Sequence, residues 1–353
     1  MALPLTAALL AGCSGPVGQA STATRTPTPT PSPSPTPSPT PSPTPTPVSP
    51  LTGLPETIPQ PVLAVKLDNT GNAQPHAGLN RADVVYVEEV EYGMTRIAAI
   101  FAGDIPTRIG PVRSARITDI DLLAQYGSPA FAFSGVQQKM WPLIDGSGVV
   151  DISPNKMASL YLRDTERRSP YNYFLDGQAG ISAAPAASVT RDVGFVFDDT
   201  APTGGYPVYR ARTEWGSSSA DFQYDSLQGD FLVGLNDFTA LEEETGEQQR
   251  AQTVVLQYVK QSESEFFDKG GGNTPHAETI GTGTGIVLRD GRAFDVTWSR
   301  PDAASGTTFQ LRDGSPMPFK PGQSWIVLLT EDRRPVIEAR PSASPSSSPA
   351  SGA

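Results

Sequence analysis

The chain is short of the residues that most often announce a protein's chemistry. Its 353 residues include one cysteine, Cys13, and two histidines, His76 and His276. One cysteine leaves no intrachain disulfide, so an exported domain built from this chain must be held by burial alone. Two histidines far apart in sequence, with no cysteine to join them, argue against a zinc site, and no metal site is expected. Neither histidine has a nucleophile beside it, and no G-x-S-x-G elbow occurs. Basic residues are outnumbered, 26 Lys and Arg against 37 Asp and Glu, for a net charge of −11. That balance argues against nucleic acid as a partner and against a polybasic membrane patch. The glycine run Gly281 to Gly285 hints at a dinucleotide loop, but a strand pattern and an Asp-Gly turn follow it instead of a helix. It therefore reads as loop glycine, and no cofactor is implied.

What is present begins at Cys13. It closes Leu10-Ala11-Gly12-Cys13, after an apolar run from Leu3 to Leu10. That run is shorter than the about 20 residues a bilayer span requires, but it suits the h-region of a signal peptide. The tetrapeptide resembles the lipobox of bacterial lipoproteins, in which the thiol carries a diacylglycerol and the new amino terminus is acylated. The pattern predicts a signal peptide over 1–12, lipidation at Cys13 and anchoring at the outer face of the cytoplasmic membrane. Each buried acyl methylene contributes about 0.8 kcal/mol, so two or more chains hold stably.

Many of the 36 prolines fall in residues 22–50, among Thr and Ser. Such a tract has nothing to bury and cannot offset the entropy of folding. Its prolines favour extended chain at about 3.1 Å per residue, a reach of roughly 80 Å into a cell-wall layer. Residues 13–50 are thus expected to be a lipidated, disordered tether and 339–353 a disordered tail.

Between the tails the pattern is α+β. Residues 51–203 alternate strand and helix signals, and 204–338 form a smaller, mostly β part. The Gly- and Pro-rich segment Pro202 to Pro207 marks the boundary. Pro61 to Leu67 is a β-rich run ending at the turn pair Asp68-Asn69. Val84 to Val87 and Ile97 to Phe101 read as strands of a hairpin turning at Tyr92-Gly93. Further strands are expected over Thr253 to Val259, Gly285 to Leu288, Ala293 to Trp298 and Trp325 to Leu329. Asp290-Gly291 joins two of them in a hairpin.

The sharpest chemical signal is Ile109-Gly110-Pro111-Val112-Arg113-Ser114-Ala115-Arg116. Proline is favoured at the first helical position, so a helix is expected to start near Gly110-Pro111. At 100° per residue, Arg113 and Arg116 then share an arc with Ile117, Ile120, Leu123 and Ala124. Arginines facing inward need anionic partners. Either an external phosphate or carboxylate at the helix start, or the internal carboxylates Asp68, Asp83, Glu91 and Asp121, can supply them. A second cluster runs from Val87 to Arg96. On a strand Glu89 and Glu91 share a face, and paired carboxylates suit glycosidase chemistry. A solvated acidic hairpin is the preferred reading. A third stretch, Arg163 to Tyr173, mixes charges, rings and an amide, as sugar sites and surface loops both do.

These segments together resemble the YerB-like bacterial lipoproteins, a family of unknown function. The likeness is carried by Leu67-Asp68-Asn69, Glu91 with Gly93-Met94-Thr95-Arg96, and above all Gly110 to Arg116. It continues through Arg163-Asp164, Arg167, Pro170 and Asn172-Tyr173, then Gln257-Tyr258-Val259, Arg289-Asp290-Gly291, Thr297-Trp298 and Pro321 to Trp325. The resemblance implies an α/β N-terminal domain followed by a smaller β C-terminal domain, and supplies no activity. Where the family has Pro-His-Asn-Leu-Tyr, this chain has Pro170-Tyr171-Asn172-Tyr173-Phe174, so catalysis through that imidazole is not expected here.

The combined expectation is a lipid-anchored binding protein for an anionic or glycan component of the envelope. Arg113 and Arg116 would hold the acidic group, and Asp68, Asn69, Glu91 and Arg96 would orient them. Asp164, Arg167 and Asn172 would line the cleft. The alternatives are a carboxylate-dependent hydrolase or transferase on wall polymers, with Glu91 or Asp68 as acid or base, and a scaffold that docks another envelope protein.

Overall fold

The computed structural model describes residues 47–56 and 58–339. The signal peptide, Cys13, the tether up to 46 and the tail from 340 lie outside the described residues. Backbone bonding is already present just before 51, where the Ser49 N–H donates to the Leu54 carbonyl at 2.8 Å.

The organising element is an eleven-stranded mixed sheet. Its first strands are β1 (Leu63–Asp68), β2 (Val84–Glu89), β3 (Thr95–Phe101), β4 (Ala130–Ala132) and β5 (Val150–Asp151). Along the sheet the order is Thr308–Leu311, Arg292–Arg300, Gly281–Arg289, Thr253–Tyr258, Ser324–Leu329, β2, β3, β1, β4, β5, with Tyr206–Pro207 pairing on Arg292–Arg300. Strands from either side of Pro202 to Pro207 therefore share one sheet. They meet where Ser324–Leu329 lies parallel to both β2 and Thr253–Tyr258. The expected hairpins at Tyr92-Gly93 and Asp290-Gly291 are both present.

Side-chain alternation assigns the two faces. Leu63, Val65 and Leu67 of β1, Val85 and Val87 of β2, and Ile97, Ala99 and Phe101 of β3 form one core with a six-stranded sheet that contributes Ala211, Phe222, Phe231 and Val233. The Phe222 and Trp325 rings meet edge to face, with centroids 6.0 Å apart. The opposite residues Ala64, Val84, Tyr86, Ala98 and Ile100 pack with Leu122 and Leu123 of helix α1 (Ile117–Ala124). Lys66, Asp68, Glu88 and Arg96 occupy the same alternating positions as this second set. Four ionisable side chains thus lie under the α1 face of the sheet.

Two expectations about local structure are corrected. The helix does not start at Gly110-Pro111: α1 begins at Ile117, with Arg116 as its N-cap. The reason is competition for backbone groups. The Pro111 carbonyl accepts from the Asp68 N–H at 2.9 Å, and the Arg113 N–H donates to the Lys66 carbonyl at 2.7 Å. The Val112 N–H donates to Tyr173 at 2.7 Å, and the Arg113 carbonyl accepts from Ser134 at 2.8 Å. The segment is an extended strip beside the end of β1, so Arg113 and Arg116 do not share a helical arc. The buried face of α1 is Thr118, Asp119, Leu122 and Leu123, so Ile117, Ile120 and Ala124 lie only at its edge. The glycine run Gly281 to Gly285 is also not a loop. It lies inside the strand Gly281–Arg289, where Gly283 lies against the Trp298 indole.

Candidate functional site

The site forms where β1 ends and β3 begins. Asp68 and Arg96 are cross-strand partners, as are Glu88 and Arg96. The Asp68 carboxylate is fully buried and takes Arg113 Nε and Arg96 Nη2, the latter at 3.5 Å. Burial alone would raise its pKa, but Arg96 and Arg113, with the hydrogen bonds from Thr70, hold it below the ordinary carboxylate value. Arg96 is itself buried. Loss of solvent pulls its pKa down, Asp68 opposes this, and the like charges of Arg116 and Arg113 add to the fall.

Glu91 reaches the same place from the β2–β3 turn. That turn is a short 3-10 segment, Glu91–Gly93, in which Tyr92 has φ 61° and Gly93 φ 65°. A Cβ on Gly93 would lie 2.5 Å from the Gly216 nitrogen, so only glycine fits. The Glu91 carboxylate receives Arg116 twice, through Nε and Nη2 at 2.8 Å each, and also accepts from the Thr274 hydroxyl. This fork-to-fork geometry fixes the guanidinium plane. Arg116 Nη1 is occupied by the Ser114 and Ala115 carbonyls.

The acidic hairpin is therefore not solvated as expected: Glu88, Glu89 and Glu91 are all buried. Nor do Glu89 and Glu91 act as a pair. β2 ends at Glu89, which points to Arg333 and Gln261, while the turn carries Glu91 to Arg116. Of the four carboxylates considered as partners for the arginines, Asp68 and Glu91 serve. Asp83 accepts the Ala102 N–H at 2.6 Å, and burial lifts its pKa to about 6. Asp121 pairs with His276 at 3.0 Å.

Arg113 and Arg116 remain partly open, at 24% and 13% exposure. They line a cleft of about 670 Å³ with Gln137, Phe267, Lys269 and Asp268, whose carboxylate is taken up by the Tyr92 hydroxyl and the Gly270 and Gly272 N–H groups. Phe267 and Lys269 stand at one wall of it. The last two belong to the tip of a hairpin, Lys260–Phe267 and Asn273–Glu278, that packs on α1 through the Ala277 N–H to Thr118 Oγ1 bond of 3.1 Å. Among the described residues no protein acceptor takes either Nη atom of Arg113. The cluster thus sets three guanidiniums against two carboxylates, with Asp68 shared by Arg96 and Arg113, and leaves the Nη edge of Arg113 toward solvent.

The remaining predicted residues separate into two places. Asn69 is buried beside the cluster, where its amide donates to Thr95 Oγ1 at 2.8 Å and its carbonyl accepts from Asn236. Asp164 and Arg167 lie in another ion-pair network. Arg108 bonds Glu243 at 2.7 Å and Asp164 at 2.5 Å, and Arg167 bonds Glu243 at 2.9 Å and the Pro75 carbonyl at 2.6 Å. Asn172 accepts from Arg163 at 3.2 Å. Tyr171 connects the two regions, its ring centroid 5.9 Å from the Arg113 guanidinium carbon.

Sequence reasoning missed a second charged group under the same sheet face. Lys66 is fully buried between Glu88 and Asp119, the latter at 2.6 Å, and Asp119 also accepts the Arg116 backbone N–H at 2.7 Å. Burial raises the Glu88 pKa to about 7, with Lys66 opposing and Asp119 assisting. The signal was available: a lysine in the middle of the strand run Leu63-Ala64-Val65-Lys66-Leu67. Among the described residues no group of three or more His, Cys, Asp or Glu is placed to hold a metal ion. No described helix is long and apolar enough to cross a membrane.

Comparison with known proteins places the chain. Residues 51–190 match the N-terminal domain, and residues 211–326 the C-terminal domain, of a family described as a protein of unknown function, DUF3048. The chain is 25% identical over 298 residues to YerB of Bacillus subtilis (strain 168), a protein named as a lipoprotein, covering 80% of this chain and 86% of that one. The crystal structure of YerB from Bacillus subtilis superposes with a TM-score of 0.70 at 21% identity, over 82% of this chain and 99% of that one. The chain belongs to the DUF3048 family, an α+β fold whose C-terminal part is mostly β.

Proposed function

We propose that this DUF3048 protein is a lipid-anchored envelope protein that binds an anionic group in the Arg113 cleft. Two things support the anchor: the Leu10-Ala11-Gly12-Cys13 motif and the lipoprotein name of the Bacillus relative. The observation that carries the binding is the charge surplus, three guanidiniums on two buried carboxylates, with the Nη atoms of Arg113 left to the cleft. A preorganised guanidinium held at Nε offers its two Nη groups to a phosphate or carboxylate at little entropic cost. The acidic chain as a whole repels anions, so attraction depends on local guanidiniums such as this one. The Tyr171 ring beside Arg113 adds a surface on which a sugar or polyol can lie.

Acid–base chemistry by Asp68 or Glu91 is less well supported. A general acid needs a proton near neutral pH, and Asp68 is held low by two arginines. Glu91 has both oxygens engaged by Arg116 and Thr274, which leaves neither poised over the cleft.

The test is co-sedimentation of the full chain with purified sacculi that retain their attached polymers. Wild type should pellet with the sacculi, and Arg113→Ala should stay in solution with an unchanged circular dichroism spectrum. Equal pelleting of a folded Arg113→Ala variant would sink the proposal.

A further inference from the structure

Resting on the anion-binding reading above, we propose that the Arg113 cleft and a neighbouring cleft at Arg168 are consecutive subsites for one linear polyanion. Tyr171 stands between them.

The second cleft has a volume of about 500 Å³ and is lined by Gln74, Arg167, Arg168 and Tyr171, among others. Its charges divide as in the first. Arg108 and Arg167 are matched by Glu243 and Asp164, two cations on two anions. Arg168 is exposed, and no described side chain or carbonyl accepts from its guanidinium. Arg113 thus presents its Nη edge to the first cleft, and Arg168 presents its whole guanidinium to the second. Tyr171 lines the Arg168 cleft, and its ring also lies 5.9 Å from Arg113.

Two cationic sites with an aromatic ring beside both suit a chain that carries repeated anionic groups joined by sugar or polyol units. Once the first anion binds at Arg113, the second is delivered at an effective concentration on the order of millimolar by its own linkage. The intervening unit would lie on the Tyr171 ring. The shared chemistry is a flexible chain with regularly spaced phosphodiesters or carboxylates. Affinity should then grow with chain length until both subsites are filled and level off beyond that.

The experiment is calorimetric titration of the full chain with two series of one, two, four and eight units: glycerol phosphate oligomers and oligogalacturonates. In at least one series the four-unit chain should bind tenfold or more tighter than the single unit. In Arg168→Ala that gain should shrink to less than threefold. An Arg312→Ala control, which removes an exposed cation elsewhere, should keep the gain and so separate contact from overall charge. The series that shows the gain identifies the anionic group. Binding that is lost in Arg113→Ala yet independent of length, or a gain that survives Arg168→Ala, would overturn the paired subsites and leave the anion site standing. Binding indifferent to Arg113→Ala at every length, or no binding in either series, would overturn both.

Discussion

Two charged groups sit side by side under the same face of one sheet, yet they are built for different ends. Lys66, Glu88 and Asp119 are sealed, each with essentially no exposed side-chain surface. Two residues further along β1, Asp68 meets Arg96 and Arg113, and the outer arginine is about a quarter exposed. The sealed group neutralises itself, because burial lets Glu88 keep a proton near neutrality while Asp119 balances Lys66. The open group cannot neutralise itself by proton transfer, since arginine stays charged. Its surplus is tolerated only because one guanidinium reaches water. The count of opposing charges and one path to solvent separate a structural ion group from a binding site.

The largest effect that would break this contrast is in the sealed group. Lys66→Met leaves the buried Asp119 without its cation and should cost about 3–5 kcal/mol of stability in urea unfolding. A loss below about 1 kcal/mol would mean that the group is not sealed. Next comes Asp68→Asn, which leaves the buried Arg96 without its anion and should cost about 3 kcal/mol. Arg113→Ala, at the open edge, should cost about 1 kcal/mol by the same assay, because Asp68 keeps Arg96.

The pH dependence tests the sealed group in another way. The folded protein holds the Glu88 proton up to about 7, against 4.5 for an ordinary glutamate. Between those values the unfolded chain has released its proton and the folded one has not. Stability therefore falls as pH rises through this window, by on the order of 3 kcal/mol. Glu88→Gln should flatten that fall, seen as a smaller difference between urea midpoints at pH 5 and pH 7.5. An unchanged difference would assign the slope elsewhere. Asp83, raised to about 6 by burial, contributes in the same direction, so Asp83→Asn should remove a separate part. The smallest effect is expected for Arg333→Ala. It removes a partly exposed partner of Glu89 and should cost less than about 1 kcal/mol.

Local pattern carried the strands well. β1, β2 and β3 lie where apolar and β-branched residues cluster, and the turns fall at Tyr92-Gly93 and Asp290-Gly291, because these signals act within a few residues. It misplaced the start of α1, because Pro111 and Arg113 bond backbone groups of β1 that no local window contains. It found Arg113, Arg116, Asp68, Glu91 and Arg96 as one cluster, since strand ends and a turn bring them together. It did not find Thr274, Phe267 or Lys269, which reach the cleft from a hairpin some 180 residues away in sequence. Arg168 was passed over because an exposed arginine in a loop looks like any other until its neighbours are counted.

The sequence by itself put a lysine, Lys66, in the middle of the apolar strand run Leu63 to Leu67, where alternation gives it the face of Ala64 and needs no partner. It also determined that charged side chains among apolar ones must find counter-charges. Which charges pair, and which one is left over, was decided only by the tertiary structure. Glu91 belongs to Arg116 because a 3-10 turn aims it there, and Arg113 belongs to Asp68 because an extended strip runs beside β1. Coulombic pairing acts over a few ångströms of space, and distance in space is what the linear order of residues leaves open.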